Sequence, residues 1–149
     1  MKDKADRIIF EYEGELRYAL SAIFANLANA DLRGADLTGA ELSYGILDNA
    51  DLRGAELYWA ILFHASLRNA GLEEADLRGA DLKEGDLSGA NLRTANLGLD
   101  NLGRRTSLQG ATLLGASLEG SVTTGAEYSL ATEFPVGFDP PEHGMTRVD

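Results

Sequence analysis

The chain has 149 residues, no cysteine, and 24 Asp and Glu against 13 Lys and Arg, for a formal net charge of −11. That length suits one domain with a continuous core. The charge repels nucleic acid and anionic membranes, while the lack of thiols excludes disulfides, thiolate zinc sites and a cysteine nucleophile and leaves the redox compartment open.

The first residues, Met1 to Arg7, are charged, and no apolar run reaches the roughly 18 residues of a membrane span. A cytoplasmic protein without membrane contact is expected. Residues 1–24 are expected to form an N-terminal helical cap. Ile8, Ile9 and Tyr12 recur at near-helical spacing ahead of Gly14, and Leu16, Leu20, Ile23 and Phe24 extend the cap as a second short helix.

From Leu27 to Leu102 a leucine stands at every fifth position, sixteen in succession. A small residue precedes each by two, from Ala25 through Ala95, with Asp100 the one exception. Five residues advance an α-helix by about 140° net, so these leucines would spiral and never share a face. In one long strand they would alternate sides. The chain therefore turns once per repeat. Within a repeat the small residue and the Leu point to one side of a short extended segment, and the polar residue between them points to the other. Arg33-Gly34, Thr38-Gly39 and Ser88-Gly89 then form corners.

The run Ala30-Asp31-Leu32-Arg33-Gly34-Ala35-Asp36-Leu37-Thr38-Gly39 resembles the pentapeptide-repeat family. The resemblance covers about residues 25–130 and implies an all-β fold, a right-handed quadrilateral β-helix with twenty residues per coil and about five coils. The tail from Tyr128 to Pro140 is similar to the closing segment of many cyanobacterial members, which implies a cyanobacterial source. Sixteen leucines in a filled lumen, at about 1.5–3 kcal/mol each, set tens of kcal/mol against the backbone entropy. Coils then stabilise one another through their neighbours.

The period breaks once, at six residues from Leu102 to Leu108, predicting a one-residue bulge within 103–106. There Arg104-Arg105 suits a carboxylate or phosphate, or is simply a soluble loop tip. Residues 131–149 are expected to cap the far end, with Phe134 and Phe138 plugging the last coil and Pro135, Pro140 and Pro141 blocking strand addition.

A coil of twenty aligns outward residues into columns. One is Arg33, Arg53, Glu73 and Arg93; another holds Asp36, Glu56 and Asp76, followed by Asn96. The acidic column supports a DNA-mimicking inhibitor of a type II topoisomerase, a role the resemblance implies for some members that act on DNA gyrase. Interleaved bases weaken it, since Asp31 with Arg33 and Asp51 with Arg53 read as self-neutralising pairs. Tyr44, Ile46, Tyr58, Trp59, Ile61, Phe63 and His64 are bulky residues at positions that should face water. They predict a contact with a protein partner or a second copy, unless a cap or the tail covers them.

No cofactor, metal or catalytic site is expected. The two histidines, His64 and His143, are far apart in sequence and fit no metal-ligand spacing; His64 reads as a surface stacking residue and His143 as a solvated tail residue. Carboxylates on a convex rod have no pocket in which to be tuned. The leading expectation is a non-catalytic scaffold or interaction module that binds no nucleic acid directly.

Overall fold

A computed structural model describes residues 23–149. Among these residues there is no helix. The architecture is built from isolated parallel bridges and one short parallel pair, β1 (Glu127–Tyr128) and β2 (Thr146–Arg147).

Each residue before a core leucine pairs with its counterpart twenty residues on, producing four ladders. The first face runs Asn26, Ile46, Ser66, Asp86; the second Asp31, Asp51, Gly71, Asn91; the third Asp36, Glu56, Asp76, Asn96; the fourth Glu41, Ile61, Asp81. Backbone bonds join the coils, as when the Leu32 amide donates to the Asp51 carbonyl at 2.8 Å and the Asp51 amide to the Ala30 carbonyl at 2.9 Å. The period-five pattern thus closes a four-sided solenoid whose lumen is filled by leucine and alanine. Leu42 through Leu97 are almost entirely withdrawn from water.

The corners require a left-handed backbone. From Phe24 to Thr94 the residue ending each repeat has positive φ, and glycine takes this at no steric cost, as Gly34 and Gly39 do. Asn29, Asn49 and Asn69 tolerate it. Phe24, Tyr44, Trp59 and His64 occupy the same conformation at φ between 53° and 61°, each at a cost of roughly 1–2 kcal/mol.

Two expectations are corrected. The bulge is not one residue: past Asn96 the register jumps, with Asp81 opposite Ser107 and Asp86 opposite Thr112. Six residues, 100–105, leave the coil, and Leu102 is 65% exposed rather than a lumen residue. The cause is Asp100, which falls where every preceding repeat from Ala25 to Ala95 has Ala or Gly. An ionised carboxylate among leucines would lose its hydration without compensation. The chain swings out and re-enters at Thr106, which fills the small-residue slot beneath Ala80. Its buried hydroxyl donates to the Leu77 carbonyl at 2.8 Å and accepts from the Gly79 amide at 3.2 Å.

The second correction concerns Ile23 and Phe24, which form a turn, the first corner of the solenoid, instead of the end of a helix. The rest of the expected N-terminal cap lies outside the described residues. Beyond residue 130 the chain still pairs, Glu133 with Thr112 and Thr146–Arg147 with Glu127–Tyr128. Tyr128, Phe134 and Phe138 pack against the core. His143 stacks on Phe138 at 4.2 Å while remaining exposed.

Candidate functional site

The bulky outward residues divide into two groups, and the corners decide which. Tyr58 and Trp59 sit where the third face turns into the fourth, directly above Gly79. A Cβ on Gly79 would lie 2.4 Å from the indole, so the ring lies flat only because that position is glycine. Loop 100–105 reaches back over them. The Trp59 indole donates to Asp100 Oδ2 at 2.9 Å, and the Tyr58 hydroxyl lies 3.2 Å from the same oxygen and 3.1 Å from Asn101 Oδ1. Asp100 Oδ1 accepts from the amides of Leu102 at 2.8 Å and Arg104 at 2.7 Å. The Arg104 guanidinium covers the indole at 4.0 Å.

Trp59, Gly79 and Asp100 therefore tie successive coils together, and Tyr58 and Trp59 are half-buried rather than free. Withdrawal from water pushes the Asp100 carboxyl up, but the hydrogen bonds from the Arg104 amide, the Trp59 indole and the Leu102 amide outweigh it and hold it below the usual carboxylate range. Desolvation, and then the Asp100 carboxylate, push the Tyr58 phenol up. Because the folded pKa of Asp100 is depressed, its contribution to stability is present above the unfolded value of about 3.9 and is lost as pH falls through the folded one. Trp59 is the sole tryptophan. Its fluorescence should stay constant on acidification through the ordinary carboxylate range and change only below it, and Asp100→Asn should abolish that step.

The second group lies where the fourth face turns into the first. Phe24, Tyr44 and His64 stack, with Tyr44 5.2 Å from each neighbour and interplanar angles of 22° and 14°. Phe63 meets Tyr44 edge-on at 5.7 Å and His64 at 4.4 Å. His64 Nε2 lies 2.8 Å from Glu84, one coil further on. Phe24 at 72%, Tyr44 at 45%, Ile46 at 42% and Ile61 at 39% exposure make this corner an apolar and aromatic surface left open by the described residues.

The structure thus separates Tyr58 and Trp59 from Tyr44, Ile61, Phe63 and His64, which had read as one patch. It adds Phe24, missed because it had been assigned to a helix. Asp100 was visible as the break in the small-residue series, but nothing in the sequence paired it with Trp59.

The register does align Asp36, Glu56 and Asp76. Asp76 is bound to Arg78 at 2.5 Å, and the hydrogen bonds from that guanidinium, against the opposing effect of burial, hold its carboxyl low. Arg33 pairs with Asp31, and Arg53 with Asp51, both at 2.7 Å. An open cleft of about 640 Å³ beside Tyr58, lined by Glu56, Glu74, Asp76 and Arg78, departs from the smooth rod expected. It arises because the excursion raises a wall, including Asn101, on the third face. The Asp76 carboxyl in it is held low, the wrong direction for a general acid at neutral pH. Of the two arginines at the excursion, Arg104 is spent on Trp59 and Arg105 lies 3.7 Å from Glu127.

Among the described residues no His, Cys, Asp and Glu side chains gather as a metal site, and no helix is long and apolar enough to cross a membrane. The pentapeptide-repeat family model matches residues 23–54 and 60–98. No match emerges among curated proteins. Among solved structures, a pentapeptide repeat protein of the Arabidopsis thaliana thylakoid lumen is 35% identical over 73% of this chain and 68% of its own, with a TM-score of 0.50. A pentapeptide repeat protein from Nostoc is 31% identical over 86% of this chain and 84% of its own, with a TM-score of 0.42. QnrB1, a plasmid-mediated fluoroquinolone resistance protein, is 16% identical over 89% of this chain and 92% of its own, with a TM-score of 0.42, a likeness too distant to bear on activity. With the period of five, the four ladders and the 35% identity to the Arabidopsis thaliana protein in hand, the chain belongs to the pentapeptide-repeat family, whose fold is the right-handed quadrilateral β-helix.

Proposed function

We propose that the protein is a non-catalytic interaction module, a rigid rod that presents the Tyr44–Ile46–Ile61–Phe63–His64 corner, with Phe24, to a protein partner. The observation that carries this reading is the exposed aromatic stack on an otherwise charged surface, built from residues that accept left-handed strain where glycine or asparagine would be free of it. At the Trp59 corner the same strain is matched by the Asp100 contacts; at the Phe24, Tyr44 and His64 corner ring stacking and the His64–Glu84 contact stand against it.

The test is affinity capture from a lysate of the source organism with wild type and a Tyr44→Gly, Phe63→Ala double variant. Glycine relieves the φ of 57° at Tyr44, so the variant keeps its fold and its circular dichroism. A bound protein should be retained by wild type and bind the variant at least about 30-fold more weakly, as expected when hot-spot aromatics are removed. Equal capture by both would overturn the reading.

The competing reading, a gyrase inhibitor acting by DNA mimicry, draws on the Asp36, Glu56 and Asp76 column. It is weakened by Arg78 beside Asp76 and by the Arg33 and Arg53 pairs on the adjoining face. Inhibition of supercoiling at stoichiometric protein, lost in Asp36→Lys with Asp76→Lys, would instead favour mimicry.

A further inference from the structure

Resting on the interaction reading above, we infer that the partner of the Phe24–Tyr44–His64 corner is a basic, amphipathic protein segment: apolar side chains for the ring edges, with lysine or arginine on either side. The apolar centre is small and rimmed by carboxylates. On the two faces that meet at this corner, Arg68 is taken by Asp48 at 3.0 Å and Lys83 lies 3.5 Å from Asp81. Both bases there are thus already engaged within the molecule.

Three carboxylates remain around the rings. Glu41 stands on the fourth face and accepts from the Ser43 amide and hydroxyl. Glu84 stands below His64, and Asp86 on the first face accepts from Ser88 and is only distantly approached by Arg68, at 3.8 Å. Glu41 and Asp86 hold serine hydroxyls, which carry no charge of their own, so the rim presents negative charge next to exposed Tyr44, Ile46 and Ile61. A partner with acidic flanks would meet like charge at the rim, and an uncharged apolar one would leave these carboxylates partly desolvated and unpaired. A second copy of this chain would bring the same acids against each other, on top of a net charge of −11 per chain. A basic segment satisfies apolar centre and acidic rim together.

The experiment is selection of a displayed random-peptide library on the wild-type protein, with counter-selection on Tyr44→Gly, Phe63→Ala. Recovered peptides are then measured by fluorescence anisotropy against wild type and against Glu41→Gln, Glu84→Gln. Sedimentation of the protein alone is run alongside. Peptides of net positive charge with apolar anchors should dominate, bind the carboxamide variant about tenfold more weakly, and lose affinity steeply with salt. Peptides that require Tyr44 and Phe63 but are neutral or acidic, or are indifferent to Glu41 and Glu84, would overturn the basic partner while leaving the interaction module standing. Failure to recover any peptide dependent on Tyr44 and Phe63 would remove both. A dimer that dissociates in the Tyr44→Gly, Phe63→Ala variant would assign the corner to a second copy instead.

Discussion

Truncating Leu82 to alanine should cost about 3–5 kcal/mol in denaturant unfolding, whereas Leu102→Ala should change stability by no more than about 0.5 kcal/mol. Both leucines belong to one unbroken run at every fifth position, and only Asp100, where Leu82's repeat has Ala80, marks the repeat of Leu102 as different. Leu82 is wholly enclosed in the lumen, its amide bound to the Ser107 carbonyl at 2.8 Å, so removing its methyl groups leaves a void that stacked coils cannot collapse around. Leu102 stands on the excursion with most of its surface in water. A loss of several kcal/mol at Leu102 would mean that its repeat lies in the coil and that the excursion is a single-residue bulge after all.

The second large effect is expected at the Trp59 clasp. Trp59→Ala should lower stability by about 2–4 kcal/mol, since it removes a half-buried indole, its hydrogen bond to Asp100 and the surface on which Arg104 rests. Trp59→Gly should recover about 1 kcal/mol of that loss, because glycine accepts the φ of 59° that alanine does not. Gly79→Ala should be costly in the wild type for two reasons. Its own φ is 70°, and its new methyl group would meet the indole 2.4 Å away. In the Trp59→Ala background only the backbone strain remains. A double-mutant cycle over these two positions should therefore give a coupling of about 1–2 kcal/mol, and additivity would show that the indole does not lie on Gly79. Proteolysis offers an independent readout: loop 100–105, held in the wild type through Asp100, should become cleavable once Trp59 is gone.

The clasp and the open corner explain why neighbouring aromatics at similar repeat positions have different fates. Both sit at left-handed corners and both are flanked by charge. At one, the chain itself supplies an aspartate and an arginine that satisfy the indole from above. At the other, the rings have one another and a single polar contact, His64 with Glu84, with an acidic rim around them. The proposed contact is placed at the second because its exposed apolar surface has no partner among the described residues that withdraws it from water.

The sequence by itself determined the repeat, its small-residue and leucine lumen, the turn in every pentapeptide and, through its resemblance to the family, the coil of twenty. These follow from side-chain volume and alternation, which are local and recur in each repeat. It also ordered the columns that bring Asp36, Glu56 and Asp76 into line and Tyr44 beneath His64. Tertiary structure alone decided which repeat leaves the coil. A carboxylate at Asp100 is tolerable only where donors meet it: the Leu102 and Arg104 amides are local, but the side-chain donors, the Trp59 indole and the Tyr58 hydroxyl, stand more than forty residues earlier in the chain. The same distance is why the sequence could not divide its bulky surface residues into a clasp and an open corner: exposure depends on what another coil places above a side chain, and a pattern of period five carries no record of that.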